Sequence, residues 1–118
     1  MSGDGCIFCR IVAGAFGTEF VGQNAHAVAF RDIQPQAPVH ILVVPRVHVS
    51  ALSDVAGIGL EAAGACLDLA RHVALDAGIA ESGYRVITNE GPDAGQTVFH
   101  LHFHVLGGAR LGGHLVPQ

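Results

Sequence analysis

The sequence predicts an α+β fold, in which a mostly antiparallel sheet of about five strands carries one long and one short helix on one face. Three observations support this fold: short β-favouring runs between turn residues, connections that suit antiparallel pairing, and one long segment with helical spacing of its apolar residues. At 118 residues the chain is long enough for one core and too short for two. We therefore expect a single domain over residues 1–118, irregular at 1–5 and at 109–118.

In chain order, the first element is a short helix over residues 6–13, which Gly14 ends. Strands are predicted where β-branched and other apolar residues cluster, at residues 18–21, 26–31, 39–44, 84–88 and 98–106. A turn at residues 22–25 would join the first two strands, and Pro45 would end the third. Residues 32–38 contain two prolines and are typical of a loop.

The long helix is predicted over residues 57–77, and Gly78 follows it as a C-terminal stop. Its expected buried face steps by three and four residues through Leu60, Ala63, Leu67, Ala70, Ala74 and Ala77.

The composition excludes several classes of protein. The chain has six arginines, no lysine and a formal charge of −4, which argues against a nucleic-acid-binding surface. Without lysine, Schiff-base catalysis and lysine-dependent phosphate loops are also excluded. No apolar run approaches the roughly 20 residues that span a bilayer, so we expect no membrane segment. Three cysteines without a signal peptide predict a reducing cytoplasm.

The segment HLHFHVLGG carries three of the eight histidines at two-residue spacing. On a strand, alternate side chains lie on opposite faces, so His100, His102 and His104 would share one face. Leu101, Phe103 and Val105 would share the other face and pack on the helix. A face of three imidazoles predicts chemistry, because exposed strand positions usually carry other polar residues.

Two kinds of chemistry fit this histidine face. The outer two histidines would lie about 13 Å apart along a strand, too far to bind one ion together. A neighbouring pair such as His100 and His102 could still hold a catalytic zinc that activates water. Alternatively, one histidine is a nucleophile and its neighbours bind, orient or donate.

The N-terminal segment contains Cys6 and Cys9 in a C-x-x-C spacing on a predicted helical turn. Two thiolates at this spacing can hold zinc, but a closed site needs two further ligands. The alternative is a redox pair, which normally follows a strand, and no strand is predicted before Cys6.

Two segments, FRDIQPQAPVHILVVPRVHV and YRVITNEGPDAGQTVFHLHFHVLGG, closely resemble the histidine-triad (HIT) superfamily, and within it the Hint-type nucleoside phosphoramidases. The resemblance runs from about residue 6 to residue 108. It implies a HIT-like α+β fold, a homodimer that joins two sheets, and hydrolysis of purine nucleotides substituted at the α-phosphorus. A nucleotide-binding protein without catalysis is the remaining alternative.

By position, the resemblance makes His102 the nucleophile that forms a nucleotidyl-histidine intermediate. The residues expected to act in catalysis are His102, His104, His40 and Thr97. The phosphate would be held by Asn89, Gly95, Gln96, Thr97 and Val98. Asp32 would bind the ribose, and an apolar slot for the purine would consist of Ile7, Phe8, Ile11, Phe30, Ile33 and Leu42.

The resemblance also completes the metal site. In C-x-x-C members of the superfamily, the two cysteines share a structural zinc with two histidines, which here implies Cys6, Cys9, His48 and His100. The remaining histidines, His26, His72 and His114, are expected at the surface, and Cys66 in the core. No organic cofactor is implied. The tail ARLGGHLVPQ lacks the tryptophan usual in Hint proteins, so the resemblance leaves the preferred leaving group open.

Overall fold

A computed structural model describes residues 5–112 and has the predicted α+β architecture. Its helices are α1 (Ile7–Val12) and α2 (Leu60–Asp76), with short 3₁₀ helices at Leu52–Gly57 and Pro92–Ala94. Its strands are β1 (Gly22–Gln23), β2 (Ala27–Arg31), β3 (Val39–Pro45), β4 (Tyr84–Ile87) and β5 (Phe103–Gly107). Within the described part of the chain, no helix has the length and apolarity needed to cross a membrane.

The five strands form one sheet in the order β1-β2-β3-β5-β4, and every neighbouring pair is antiparallel. His104 on β5 is opposite Leu42 on β3 and Ile87 on β4. The end of the histidine segment therefore lies inside the sheet rather than at its edge.

One face of the sheet packs against α2, as the alternation of the C-terminal segment predicts. Leu101, Phe103 and Val105 are buried there together with Leu69 and Val73 of α2. Cys66 is fully buried in the same core, as expected, and burial raises the pKa of its thiol to about 11. The three histidines consequently face the other side of the sheet.

The predicted buried face of the long helix is wrong in part, because Ala70 and Ala74 are buried as predicted but the two leucines are not. Leu60 is 81% exposed and Leu67 is 54% exposed. The residues that are buried are Ala62, Cys66, Leu69, Ala70, Val73 and Ala74. In this alanine-rich helix two stripes have helical spacing, and the one that contains Leu69 and Val73 fills the space above the sheet. The helix also begins at Leu60 rather than at residue 57, because the 3₁₀ helix and Gly59, at φ 87°, precede it.

The short helix does not lie on the same face as α2, which corrects a second expectation. Phe8 of α1 packs with Val28, Phe30, Leu42 and Val44, the residues that alternate with the α2-facing ones on β2 and β3. Each face of the sheet therefore has its own apolar cluster. The α1 face is also the face of the histidines.

Two strand predictions need correction. Residues 18–21 are not a strand, and the short β1 follows them at Gly22–Gln23. The turn between β1 and β2 follows Gln23 and so lies later in the chain than the predicted 22–25. It is held by Asn24 Oδ1, which accepts hydrogen bonds from the amides of His26 and Ala27. The last strand begins at Phe103 rather than at residue 98. Residues 109–112 lie outside any helix or strand, as expected, while the rest of the predicted irregular tail and residues 1–4 lie outside the described residues.

Candidate active site and metal centre

Four side chains from distant parts of the sequence bring their donor atoms within 4.8 Å of one another: Cys6, Cys9, His48 and His100. The His48 and His100 Nδ1 atoms are 3.2 Å apart, and Cys6 Sγ is 3.3 Å from His100 Nδ1. Cys9 Sγ lies 3.4 Å from His48 Nδ1 and 3.5 Å from His100 Nδ1. Tetrahedral zinc with ordinary bond lengths would separate two nitrogens by about 3.3 Å and nitrogen from sulfur by about 3.5 Å. The four residues could therefore hold one metal ion.

The protonation of His100 also suits a ligand. Its Nε2–H donates to the Pro45 carbonyl at 2.9 Å, so Nδ1 carries the lone pair that faces the thiols. His100 is fully buried, and burial is the main cause that lowers the pKa of its imidazole. Burial likewise lowers the pKa of His48. Both rings are thus kept in the neutral form that binds a metal.

His102 is held in the opposite tautomer. Its Nδ1–H donates to the His100 backbone carbonyl at 2.7 Å, which leaves the lone pair on Nε2. The edge of the Phe8 ring meets the His102 ring at a centroid distance of 5.0 Å. Burial lowers the pKa of His102, and no residue of the described chain hydrogen-bonds its Nε2. The ring therefore offers a neutral, oriented nitrogen to an electrophile.

A second group joins His40, His104 and Asp32 beside the His102 ring. His40 Nε2 lies 2.9 Å from His104 Nδ1 and 3.4 Å from Asp32 Oδ2. The His104 ring centroid is 5.1 Å from that of His102. Burial, with the nearby His102 and His40 rings, lowers the pKa of His104 to about 4. His104 is consequently neutral at physiological pH.

The loop that follows β4 is closed by Gln96. Its Oε1 accepts from the Gly91 amide, and its Nε2 donates to the carbonyls of Ser50 and Val98. The amides of Gly95 and Gln96 donate within the loop, to Pro92 and Gly91. Thr97 is exposed and the half-buried Val98 packs on the Phe8 cluster. Asn89 lies half-buried just before this loop.

The residues expected at the nucleoside end are only partly brought together. Phe8, Phe30 and Leu42 are buried in one cluster and Ile11 packs against it. Ile7 is 49% exposed, and Ile33, at 95% exposed, belongs to neither apolar cluster. Asp32 stands at the start of its loop, where Oδ1 accepts from the Gln34 amide at 2.8 Å.

The remaining histidines agree with expectation where they can be checked. His26 has a side chain 39% exposed, and His72 is exposed on α2. His114 lies outside the described residues.

Several groups that shape the site were missed by the sequence analysis. Thr88 Oγ1 donates to the His102 carbonyl at 2.7 Å, and the Gln36 amide donates to His40 Nδ1 at 2.9 Å. The Pro45 carbonyl orients His100 in the same way. Two of these three missed groups, the Gln36 amide and the Pro45 carbonyl, belong to the backbone, which leaves no trace in residue type. The Thr88 hydroxyl stood at a predicted strand end, where nothing distinguished it from ordinary strand composition.

Known proteins resemble this chain over most of its length. The family profile described as "HIT domain" matches residues 15–111. The purine nucleoside phosphoramidase of Escherichia coli K12 is 42% identical over 106 residues, which cover 90% of this chain and 89% of the relative. An uncharacterised 13.2 kDa HIT-like protein of Azospirillum brasilense is 47% identical over 107 residues, covering 90% of this chain and 88% of that protein.

Solved structures give the same result. A HIT family hydrolase from Clostridium thermocellum superposes with a TM-score of 0.89 at 40% identity, covering 94% of this chain and 96% of that one. A histidine triad protein from Clostridium difficile has a TM-score of 0.88 at 38% identity, covering 95% and 97%. The chain therefore belongs to the HIT family, as a hydrolase of the histidine-triad type.

Proposed function

We propose that the protein hydrolyses purine nucleoside phosphoramidates, or related nucleotides substituted at the α-phosphorus, and releases a nucleoside monophosphate. The single observation that carries this proposal is the His102 ring, whose Nδ1–H is fixed on the His100 carbonyl at 2.7 Å. The activity named for the Escherichia coli relative supports the substrate class.

The reaction has two steps. His102 Nε2 attacks the α-phosphorus, a phosphorus–nitrogen bond forms, and the bond to the leaving group breaks. A departing amine takes up one proton from solvent, and the water of the second step gives one proton back. Water then attacks the nucleotidyl-histidine, which restores the ring and releases the monophosphate. A neutral imidazole is a competent nucleophile near pH 7, and burial keeps His102 neutral by lowering its pKa.

Thr97 and Val98 supply the donors for the phosphoryl oxygens in this proposal. The amides of Gly91, Gly95 and Gln96 are already engaged within their loop, so they position the segment rather than contact the anion. The Thr97 hydroxyl and the amides of Thr97 and Val98 have no such partner within residues 5–112. Electrostatic positioning of this kind is most of what phosphoryl transfer asks of a protein.

Asp32 and the Phe8 cluster receive the nucleoside. Asp32 Oδ2 is the oxygen not engaged by the Gln34 amide, and it is the one we assign to a ribose hydroxyl. Phe30, Leu42 and Ile11 offer an apolar surface next to Phe8. The binding free energy of a purine ring there would come from the apolar area that it buries rather than from contacts to the base edges.

The ion at Cys6, Cys9, His48 and His100 is proposed to be a structural zinc, one per chain. Two thiolates and two imidazoles at these separations suit tetrahedral zinc and leave no open position for water. The zinc would join α1 to the sheet. A zinc hydrolase that uses His100 and His102 as catalytic ligands is disfavoured, because His100 Nδ1 faces the thiols and His48, and His102 belongs to neither group of potential metal ligands in the described residues.

We further propose a homodimer in the cytoplasm. β4 is an edge strand, and its Tyr84 and Val86 side chains are 36% and 39% exposed. An edge with partly exposed apolar residues favours pairing with a second copy. Thiols available for zinc also require a reducing compartment. Sedimentation velocity would report the dimer, and a monomer at micromolar concentration would contradict it.

The test is turnover of adenosine 5′-phosphoramidate by wild type and by His102→Ala. Wild type should release AMP, and the variant should be slower by roughly 10⁴-fold, as expected for loss of a nucleophile. Binding of AMP should persist in the variant, because the ribose and phosphate contacts remain. Near-normal turnover by His102→Ala would refute the proposed chemistry.

A further inference from the structure

The group formed by Asp32, His40 and His104 presents three atoms that are metal ligands in other proteins, all within 4.8 Å. It lies next to the nucleophile and contains a buried histidine, His40, that is 6% exposed. The hydrogen bonds of this group determine which ring nitrogens carry protons and whether the three residues can bind a metal.

The Gln36 amide determines the tautomer of His40. A backbone N–H can only donate, and that of Gln36 points at His40 Nδ1 from 2.9 Å. Nδ1 must therefore carry a lone pair, and the proton of the neutral ring must be on Nε2. A proton on Nδ1 would place two donors against each other at this contact.

The His40 tautomer in turn determines that of His104. His40 Nε2–H has two acceptors in reach, His104 Nδ1 at 2.9 Å and Asp32 Oδ2 at 3.4 Å. The nearer contact to His104 has the length of a full hydrogen bond, whereas the Asp32 contact is long. His104 Nδ1 is then an acceptor, and the proton of its neutral ring is on Nε2.

This order of protons also argues against a metal at the same three residues. A metal would need the lone pair of His40 Nε2, which would force the proton onto Nδ1, opposite the Gln36 N–H. The cost would be an unmade hydrogen bond and two facing donors at a buried ring.

From these contacts we infer that the Gln36 amide and His40 are positioning groups that fix His104 as a neutral Nε2–H donor toward the phosphoryl group transferred to His102. This inference rests on the proposed function and makes it more specific. His104 stabilises charge by donating a hydrogen bond and transfers no proton. His40 acts through His104, so it is a positioning residue rather than a catalytic one.

The spectroscopic test reads the tautomers directly. Long-range ¹H–¹⁵N correlation of the imidazoles in wild-type protein at pH 7 should show the proton on Nε2 in both His40 and His104, and on Nδ1 in His102. A His104 ring protonated on Nδ1, or charged at pH 7, would overturn the inference.

The kinetic test is a double-mutant cycle on kcat/KM, which reports the first chemical step. His40→Leu should lower kcat/KM for adenosine 5′-phosphoramidate by about 30-fold, because His104 can then turn a lone pair toward the anion. His40→Gln, which retains an N–H near the position of Nε2, should recover most of that loss. His104→Ala combined with His40→Leu should be no slower than His104→Ala alone. Additive losses would show that His40 does not act through His104.

Metal titration tests the alternative that Asp32, His40 and His104 bind a metal ion. With Co²⁺ as the probe, zinc-loaded wild type should bind no second ion, and neither should zinc-loaded His40→Leu. A second ion that depends on His40 would contradict the tautomer assignment. If wild type turns over and forms its histidine adduct while these tests fail, the inference is wrong and the proposed function stands.

Discussion

At the residue scale, the histidines of the motif do not share one tautomer, because His100 and His104 carry the proton on Nε2 and His102 carries it on Nδ1. His100 donates from Nε2 to Pro45 and turns Nδ1 to the thiols, whereas His102 donates from Nδ1 and keeps its lone pair on Nε2. His104 accepts at Nδ1. Backbone carbonyls set two of these states, and His40 sets the third. Identical side chains thus have three different hydrogen-bond environments within five residues.

Asp32 is the residue on which the sugar prediction depends. Asp32→Ala should weaken the binding of ribonucleotides by about 10-fold and of their 2′-deoxy counterparts by less, if the hydroxyl bonded to Oδ2 is the 2′-hydroxyl that the deoxy sugar lacks. Calorimetric titration with AMP and 2′-deoxy-AMP would measure the difference. Equal losses for both sugars would show that Asp32 serves only the turn at Gln34.

Thr88 and Thr97 allow a matched comparison of two hydroxyls. Thr88→Val removes the hydrogen bond to the His102 carbonyl and should lower the free energy of unfolding by about 1 kcal/mol. Thr97→Val lies at an exposed position and should leave stability nearly unchanged while lowering kcat/KM. Urea unfolding and steady-state kinetics on both variants would check this. A stability loss confined to Thr97→Val would contradict the assignment.

At the element scale, α1 connects the four potential metal ligands to His102, the proposed nucleophile. The helix spans Ile7–Val12; Cys6 is its N-cap and Cys9 lies within it. Between them Phe8 lies against both imidazoles, with ring centroids 6.0 Å from His100 and 5.0 Å from His102. A helix of six residues is not stable by itself, so its position depends on the packing of Phe8 and, in our proposal, on the zinc.

Loss of a cysteine ligand tests this dependence. Cys9→Ser should abolish the bound zinc and lower the melting temperature by about 8 °C, the shift expected for roughly 2 kcal/mol at this chain length. Cys66→Ala is the matched control, because Cys66 lies in the core away from the four ligands. It should keep one zinc per chain by mass spectrometry of the metal. Unchanged zinc content in Cys9→Ser would refute the ligand set.

Most of the elements could be predicted from the sequence, for identifiable reasons. The two-residue alternation of residues 101–105 placed apolar residues on α2 and imidazoles opposite, because pleated geometry leaves no other choice. The α2 stripe could not be predicted in the same way, since alanines make two faces of the helix look alike. The protons of His40 and His104 depend on a Gln36 backbone amide, which carries no sequence signal.

At the scale of the whole molecule, neutral histidines on the α1 face make stability depend on pH. The pKa values of His48, His100, His102 and His104 are all lowered by burial, that of His104 to about 4. Below the ordinary histidine pKa of about 6.5, the unfolded chain binds protons that the folded chain does not. The free energy of unfolding is therefore not reduced by these four rings above pH 6.5, and it decreases as the pH falls toward 4.

Urea unfolding between pH 7 and pH 4.5 measures this dependence. The free energy of unfolding should fall as the solution becomes more acidic, and His104→Gln should show a shallower slope than wild type. A flat profile across this interval in wild type would mean that the folded and unfolded chains take up equal numbers of protons, and so that the pKa values of these rings are not lowered in the fold.

The central claim is that His102 becomes covalently bound to the nucleotide. Rapid alkaline quenching of wild type with adenosine 5′-phosphoramidate labelled in the adenosine should trap an adduct that survives base and is lost in acid. Peptide mapping should place that adduct on His102, and His102→Ala should form none. An adduct on another residue, or steady turnover with no adduct at any quench time, would contradict the mechanism.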